Sequence, residues 1–240
     1  MIITVDGIVI ATRNYSETSK IIDIFTKEYG IISVIAKGCK SLKSNLRSIA
    51  DKLIYASFTI YYKKDKLSTL KEATVKSNFS SIKKDIKKIS YASYIMDLTT
   101  QVYKQSNESE IYDLFISSLV KINENFEPLI ITNIIELKYL NYLGIMLNLD
   151  GCSVCGCKNV VTLSSNRGGY LCNKCRGNEF ITSEKIIKLI RMYAYVEKNK
   201  ITKLDLDIKI VKEIDNFLNI YYDSYTGLYL KSKNFLKALD

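Results

Sequence analysis

Residues 20–37, KIIDIFTKEYGIISVIAK, contain two short runs rich in isoleucine and valine on either side of Gly30. Runs of this length and composition are typical of β-strands. Gly30 stands where a tight hairpin needs a residue with positive φ, which glycine adopts without a steric penalty. The stretch therefore predicts a hairpin between two neighbouring strands of a small sheet.

Similar runs lie on both sides of this hairpin, at residues 2–13, 52–62 and 67–75, and turn residues separate them. Five strands within about 75 residues predict a small barrel. A five-stranded, partly open Greek-key barrel is the OB-fold pattern, which often binds oligonucleotides. We therefore predict an OB-fold nucleic-acid-binding domain over residues 1–78.

Beyond Ser80 the apolar residues recur at helical spacing. The predicted helices span residues 80–105, 109–125, 128–147, 183–198, 207–227 and 231–239. In the first of these helices, the buried face is predicted to carry Ile82, Ile86, Ile89, Ser93, Met96 and Val102. Pro128 suits the first turn of its helix, and Gly144 marks the C-terminal cap or a close packing point. The predicted fold class is α+β and multi-domain, with an all-α domain at 79–240 that carries an insertion at 150–178.

The predicted insertion contains the stretch CSVCGCKNVVTLSSNRGGYLCNKC, residues 152–175, with five of the six cysteines of a chain that has no histidine. Two C-x-x-C pairs, Cys152 with Cys155 and Cys172 with Cys175, have the separation of a four-cysteine zinc site. Such a set can present four thiolates to one ion in a tetrahedron. Because a catalytic site keeps an open position, the four cysteines indicate one structural Zn²⁺.

Other interpretations of the cysteines stay open. The two pairs could form a redox dithiol or stay empty, and Cys157 could replace Cys155 as a ligand, although C-x-C is less common in such turns. The residues between the pairs, with Gly168 and Gly169 at a bend, predict a short hairpin. Cys39, alone in a basic segment, is either a small uncharged residue or a reactive thiol activated by nearby lysines.

The formal charge is +10 and is unevenly distributed. Residues 1–78 carry 13 Lys and Arg against 7 Asp and Glu, and residues 152–178 carry 4 against none, whereas residues 79–151 carry 7 against 9. Basic clusters favour a polyanion such as nucleic acid, because phosphate contacts by Lys and Arg release condensed counterions. A biased genomic composition would account for the total charge, but less well for the clustering.

The sequence offers little support for an enzyme. It has no G-x-x-x-x-G-K-[ST] phosphate loop, and without histidine it has neither a His-based triad nor a His-ligated hydrolytic metal. The acidic residues are scattered, and no pair stands out as a two-metal nuclease site. We therefore predict a protein that is not an enzyme.

The N-terminal 20 residues lack the basic leader and long apolar region of a secretory signal. No segment has about 18 uncharged apolar residues in a row, so no membrane span is expected. Paired C-x-x-C motifs fit a reducing compartment, where they bind metal more often than they form disulfides. These features predict a cytoplasmic protein with no membrane partner.

Three segments resemble the RecO family of bacterial recombination mediators. Residues 7–44 are similar to the family's first three strands, with a T-x-E-x-G segment ending at Gly30 and AKG at 36–38 followed by basic residues. Residues 137–175 are similar in having a helix that ends in Leu-Gly and leads into the cysteine pairs. A weaker similarity covers residues 228–239.

The resemblance implies an OB-fold domain, a helical domain with a zinc loop, and a non-enzymatic role in DNA repair by the RecF pathway. It implies binding of single- and double-stranded DNA, annealing of complementary strands and help with RecA loading. It also implies RecR and the single-stranded-DNA-binding protein as partners, and association with the nucleoid.

Annealing requires two repelling strands to be held together, which a protein can do by screening their phosphates. The main candidate surface is the long connection at residues 37–52, KGCKSLKSNLRSIADK. The predicted DNA contacts are Lys37, Lys40, Lys43 and Arg47 in this connection, followed by Lys20, Lys63, Lys64 and Lys66. A second candidate DNA surface comprises Lys158, Arg167, Lys174 and Arg176. Any one of these residues could instead belong to a solvated surface.

Two other functions compete with DNA annealing. A zinc-stabilised adaptor would dock proteins through its helical domain, and its basic charge would be incidental. A zinc-ribbon transcription regulator would need a helix with outward Arg, Asn or Gln, and no predicted helix has a convincing set. Aromatic residues of the fourth strand, Tyr55, Phe58, Tyr61 and Tyr62, are not assigned to bases, because at least half are expected in the core.

Overall fold

The structure is a computed structural model that describes residues 1–197 and 200–236. The strands are β1 (Ile2–Asn14), β2 (Lys20–Thr26), β3 (Gly30–Ala36), β4 (Tyr55–Tyr61), β5 (Ser68–Ser77), β6 (Thr162–Ser164) and β7 (Gly169–Leu171). The helices are α1 (Ser80–Lys83), α2 (Ile86–Ser106), α3 (Glu110–Asn123), α4 (Pro128–Tyr142), α5 (Glu184–Tyr195), α6 (Ile208–Tyr225) and α7 (Lys231–Leu236). This order of elements confirms the predicted α+β fold class.

The first five strands form the predicted barrel. β1 pairs with β2 and β4, β2 with β3, and β4 with β5, all antiparallel. A parallel seam between β3 and β5 completes the ring with only two residue pairs, Val34 with Ser68 and Ile35 with Thr69. This is the OB-fold arrangement expected from the sequence. Gly30, between β2 and β3, has φ 63°, as the hairpin requires.

Alternating side chains of the strands fill the barrel. Every second residue of β3 is buried, from Gly30 to Ala36, which is the pattern of a strand with one face on the core. The barrel core includes Val9, Ile22, Ile24, Val34, Phe58 and Ile60. The hydroxyls of three buried residues nearby are hydrogen bonded: Thr26 donates to the Gly30 carbonyl, Ser68 accepts from Lys63 N–H, and Ser19 accepts from Gly38 N–H.

The chain packs as two compact units that are not continuous in sequence. The first comprises residues 1–86 and 109–123, and the second comprises residues 87–108 and 124–240. In the first unit the ring of Phe25 contacts Tyr112 of α3, with ring centroids 5.3 Å apart. The domain boundary after residue 78 stays a prediction, and α3 packs with the barrel.

The prediction of one helix over 80–105 is wrong in its first turns. α1 ends at Lys83, and the N–H of Asp85 bonds the carbonyl of Ile82 in a tight turn before α2 begins. Because α1 and α2 are separate helices, the buried face of α1 does not continue in register into α2. Ile86, predicted to be buried, is therefore 64% exposed, whereas Met96 and Val102 are buried as predicted. Ile89 and Ser93 are half-buried, and Ile82 is buried within α1.

The helical unit is organised around α4, which is buried along almost its whole length and packs against α5 and α6. Pro128 occupies its first turn as predicted. The helix ends earlier than predicted because Gly144, with φ 71°, closes a Schellman motif. In that motif the N–H of Ile145 bonds Leu140 O at 3.0 Å, and the N–H of Gly144 bonds Asn141 O at 3.1 Å.

The remaining predicted helices lie near their expected positions. The side chain of Ser183 caps α5 by accepting a hydrogen bond from the N–H of Ile186. α6 ends at Tyr225, just before Gly227. The last residue of the predicted helix at 183–198 and the end of that at 231–239 lie outside the described residues. Within the described residues, no helix is long and apolar enough to span a membrane.

Candidate metal centre and nucleic-acid surface

The predicted hairpin between the cysteine pairs is present as the ribbon of β6 and β7. Gly168 and Gly169, at its bend, have φ of 62° and 151°. A Cβ on Gly169 would lie 2.3 Å from the carbonyl oxygen of Asn148, so only glycine fits here. That carbonyl accepts from Tyr170 N–H at 3.0 Å, which fixes the ribbon to the segment just before the first cysteine pair.

The ribbon brings the four predicted ligands together. The sulfur atoms of Cys152, Cys155, Cys172 and Cys175 all lie within 4.8 Å of one another. Two of them, on Cys155 and Cys172, are 3.7 Å apart. In a tetrahedral site with Zn–S bonds of about 2.3 Å, neighbouring sulfurs would be about 3.8 Å apart. The four side chains thus fit a metal ion of this geometry.

The thiols also influence one another's ionisation. Burial opposes ionisation of Cys152, but hydrogen bonds from neighbouring backbone groups, including that of Cys172, outweigh burial and lower its pKa to about 6. The adjacent thiols of Cys155 and Cys172 raise the pKa of Cys175 to about 12. Burial also opposes ionisation of Cys172, but neighbouring hydrogen bonds again lower its pKa, so two of the four thiols lose a proton more readily than a free cysteine. A divalent cation would favour the full set of thiolates.

The other two cysteines lie apart from this cluster. Cys157 is exposed, and it is not among the four sulfurs that lie together. Cys39 is 2% exposed and packs in the barrel core, so its surroundings fit a small apolar residue better than a reactive thiol.

A small apolar cluster surrounds the cysteines. Its local cluster consists of Cys152, Leu171 and Cys172, with Val160 and Cys175 packed against them. Three of these five residues are predicted metal ligands. Leu163 and Tyr170 are buried elsewhere in the segment, but because the cluster at the sulfurs is small, metal binding would contribute much of the order around the four cysteines.

The basic connection at 37–52, by contrast, is held by the barrel itself. Cys39, Ile49 and Ala50 are buried in the barrel core, and Leu46 packs against it. Successive turns, such as Arg47 N–H to Ser44 O at 3.2 Å, satisfy its backbone. The connection is therefore a fixed surface element, and it presents its lysines from a rigid support.

Two of the predicted DNA contacts have structural partners. The ammonium group of Lys40 donates to the Ser16 carbonyl at 2.7 Å. That of Lys20 lies 2.9 Å from a carboxylate oxygen of Asp51 and also reaches the Ala50 carbonyl at 3.4 Å. The two side chains thus tie the beginning and end of the connection to the β1–β2 turn and to β2. The sequence did not predict this anchoring role, because it depends on which acceptor groups the fold places next to each ammonium group.

The other predicted contacts point into solvent. Lys37, Lys43 and Arg47 are exposed, and among the residues that the structure describes none of them makes an ion pair. Lys63, Lys64 and Lys66 are likewise exposed in the β4–β5 turn. In the cysteine segment, Arg167 and Lys174 are exposed, whereas the ammonium of Lys158 bonds Asp150 O and the guanidinium of Arg176 bonds Glu179 O.

A groove of about 460 Å³ opens on the barrel next to the β4–β5 turn. Its lining includes Arg13, Tyr29, Tyr62, Lys63, Asp65 and Lys66. Sequence reasoning included two of these lysines but not Tyr29 or Arg13. The only signal for Tyr29 was an aromatic residue directly before the hairpin glycine. Of the strand β4 aromatics, Phe58 is buried, as expected for the core, and Tyr61 is 46% exposed.

The chain thus combines an OB-fold barrel that carries a basic surface with a helical unit whose four clustered cysteines could hold a metal ion. Family models agree with this description. The model "Recombination protein O N terminal" matches residues 1–79, and "Recombination protein O C terminal" matches residues 83–234.

Curated relatives cover nearly the whole chain. The DNA repair protein RecO of Listeria monocytogenes serotype 4b is 32% identical over 240 residues, which is 98% of this chain and 94% of the relative. The RecO proteins of Halalkalibacterium halodurans and Bacillus cytotoxicus are 30% and 32% identical, over 98% of this chain and 94% and 97% of their own lengths. The chain belongs to the RecO family of DNA repair proteins, as its sequence resemblance indicated.

Proposed function

We propose that this protein is a recombination mediator that binds single- and double-stranded DNA and anneals complementary strands without consuming a cofactor. The observation that carries this proposal is a group of three exposed cations, Lys37, Lys43 and Arg47, that have no ion-pair partner among the described residues and lie on a connection fixed to an OB-fold barrel. Cations on a rigid support can hold two phosphate backbones close together, since each contact releases counterions. Membership of a DNA repair family supports a DNA target.

No catalytic step is part of this mechanism. The barrel surface lowers the repulsion between strands, and base pairing provides the driving free energy. Annealing should therefore proceed without ATP and weaken steeply as salt rises, because counterion release is smaller in concentrated salt.

We propose one structural Zn²⁺ at Cys152, Cys155, Cys172 and Cys175. The spacing of the sulfurs and the small local core support this assignment. The ion would fix the path of residues 150–178, and it has no part in chemistry on DNA. Lys158, Arg167, Lys174 and Arg176 stay candidates for a second DNA surface, and Arg167 and Lys174 are the better choice for a test because their charges face solvent.

Family membership also supports the proposed protein partners. RecR and the single-stranded-DNA-binding protein would bring this chain to coated single strands and help RecA to load there, in the cytoplasm and at the nucleoid. Co-purification of each candidate with the full-length chain, with and without DNA, tests these partners directly.

The test of annealing uses two complementary oligonucleotides with a fluorophore and a quencher, without ATP and across a salt series. The variant Lys37→Glu/Lys43→Glu/Arg47→Glu removes the solvent-facing cations and spares the anchors Lys20 and Lys40. We expect it to abolish annealing at low salt. Loss of three phosphate contacts should reduce the salt slope of single-strand binding by about 2, at about 0.7 per contact.

The matched control is Lys104→Glu/Lys185→Glu/Lys209→Glu, which makes the same charge change at exposed positions of the helical unit. We expect it to anneal nearly as fast as the parent protein. If both triple variants lose annealing equally, only total charge matters. If the parent protein binds zinc and does not anneal at any salt concentration, the adaptor function replaces the mediator function.

A further inference from the structure

We infer that the groove beside the β4–β5 turn is a subsite for one unpaired base and its neighbouring phosphates, with Tyr29 as the stacking surface and Lys63 and Lys66 as the phosphate contacts. This inference rests on the proposed function, and it names the part of the barrel that distinguishes single strands from duplex. None of the groove's lining residues comes from the basic connection at 37–52.

The aromatic part of the groove is a pair of tyrosines. The rings of Tyr29 and Tyr62 lie with their centroids 5.0 Å apart at an interplanar angle of 56°. Tyr62 is half-buried and packs against the barrel core, whereas Tyr29 is 37% exposed. Tyr62 thus lies between the barrel core and Tyr29, and the ring of Tyr29 lines the groove.

Both tyrosines stand on backbone that is already fixed. The N–H of Tyr29 bonds the hydroxyl of Thr26 at 3.1 Å, and that hydroxyl donates to the Gly30 carbonyl at 3.0 Å. The N–H of Tyr62 bonds Met1 O at 2.8 Å, so the residue before β1 holds the backbone of Tyr62 in place. Because little conformational freedom is left to lose, stacking a base on Tyr29 carries a small ordering cost.

The charge of the groove suits a phosphodiester. Lys63 and Lys66 are exposed, and within the described part of the chain neither ammonium has an ion-pair partner. Their turn is fixed by the bonds from Lys63 N–H to the Ser68 hydroxyl at 3.1 Å and from Lys66 N–H to Lys63 O at 3.3 Å.

Two other charged residues line the groove, and neither favours the binding of an anion. Arg13 contributes little net charge, because its guanidinium lies 2.8 Å from Asp23. Asp65 is the acidic member of the lining and would weaken phosphate binding.

An aromatic ring beside two exposed cations matches the alternation of base and phosphate along a single strand. Stacking on a side chain requires an open base face, and in a duplex neighbouring bases cover both faces. A volume of about 460 Å³ is within the range of small-ligand sites, which run from roughly 300 to 1,000 Å³. The groove therefore favours single-stranded over duplex nucleic acid.

The chain has no tryptophan, so a single substitution creates a local fluorescence reporter. Tyr29→Trp places the reporter in the groove, and Tyr229→Trp is the matched control at a site in the helical unit that is 71% exposed. Each full-length variant is titrated with a 20-nucleotide oligo(dT) and with a mixed-sequence duplex. Binding is measured in parallel by anisotropy of the labelled DNA.

We expect oligo(dT) to quench Tyr29→Trp saturably, at the concentrations where anisotropy rises, and to leave Tyr229→Trp unchanged. Duplex should bind with little quenching of Tyr29→Trp. In unlabelled protein, Tyr29→Leu should weaken oligo(dT) binding roughly tenfold, in line with the loss of one stacked base, while Tyr229→Leu binds as the parent does.

The possible failures are distinguishable. If anisotropy shows oligo(dT) binding and Tyr29→Trp is not quenched, the subsite is wrong and the proposed function stands. Equal quenching by duplex and single strand overturns the preference for unpaired bases. If neither DNA binds either variant or the parent protein, the proposed DNA function fails and the subsite fails with it.

Discussion

The barrel and the helical unit achieve order by different means. The barrel buries a continuous apolar core, its buried hydroxyls at Ser19, Thr26 and Ser68 are hydrogen bonded, and its long connection is fixed by Ile49 and Ala50. The helical unit instead contains four clustered thiols and a buried glutamate. The difference predicts that the stability of the barrel does not require a metal ion, whereas the stability of the helical unit would depend on a metal ion at the four thiols and on the proton of the glutamate.

The glutamate is Glu136, in the middle of α4, and it is 2% exposed. The Tyr94 hydroxyl donates to one carboxylate oxygen, while the other oxygen has no hydrogen-bond partner among the described residues. Burial, reinforced by the nearby charge of Asp215, raises the pKa of Glu136 to about 8. At neutral pH the group is mostly protonated, which avoids the cost of a buried charge.

The largest effect that we predict is loss of the metal. Cys172→Ser removes a buried ligand, and we expect bound zinc to fall from about one per chain to near zero. Structural zinc supplies on the order of 10 kcal/mol in zinc-finger peptides near pH 7, so residues 150–178 should become protease-sensitive. Metal analysis and limited proteolysis provide the two measurements.

Cys157→Ser is the matched control for this prediction, because it removes a thiol outside the cluster. We expect it to retain zinc and resist proteolysis. Hydrogen exchange in the barrel strands should be the same in the parent protein and in Cys172→Ser. Loss of barrel protection in Cys172→Ser would contradict the separation between the two units.

A core substitution in the connection should have the next largest effect. Ile49→Ala removes three buried carbons from the barrel core, and large-to-small changes of this kind cost about 2–5 kcal/mol. We expect its denaturant midpoint to fall equally with and without a zinc chelator. A loss of stability that appears only after chelation would show that the barrel connection also depends on metal.

The proton on Glu136 gives a smaller effect that depends on pH. Its pKa is about 8 in the folded chain and about 4.5 when unfolded, so the folded state holds a proton that the unfolded state releases. The stability contributed by this proton is therefore fully present below pH 4.5 and is lost as the pH rises through 8. Between pH 6 and pH 9 we expect a loss of about 2–3 kcal/mol, at about 1.4 kcal/mol per pH unit below the folded pKa.

Glu136→Gln isolates this contribution, since the amide is neutral at every pH. Denaturant unfolding at a series of pH values should give a flatter profile for the variant than for the parent protein. Parallel profiles would mean that other groups, such as the thiols, cause the dependence.

The smallest predicted effect is a difference in stability between a variant of the anchoring residue Lys40 and a variant of the solvent-facing residue Lys43. Lys40→Met removes the bond to the Ser16 carbonyl, and because the side chain is partly exposed we expect a loss of under about 1 kcal/mol. Lys43→Met should leave stability unchanged. Both should lower DNA affinity, and the comparison of unfolding midpoints with binding isotherms shows whether anchoring and contact are distinct. Equal midpoints for the two variants would remove the anchoring role.

The sequence predicted those features that are determined by residues close together along the chain. The sequence indicated a turn at Gly30, a helix start at Pro128 and a candidate ligand set at the two C-x-x-C pairs. Other features depend on tertiary contacts that no local pattern contains. These are the break at Asp85, the packing of α3 with the barrel, and the partners of Lys20 and Lys40. The Tyr29–Tyr62 pair was missed for the same reason, because residues 33 positions apart meet only when the barrel closes.

The two-residue seam between β3 and β5 has a consequence for the unfolding of the barrel. Each of the five strands has two neighbours, but β3 pairs with β5 through only two of its seven residues, so the ring is weakest at this seam. The seam at Val34 and Ile35 contains the fewest residue pairs, so we expect the ring to open there first. Opening exposes an apolar edge of β3 that can recruit further copies, and aggregation of this protein on heating should begin at that strand.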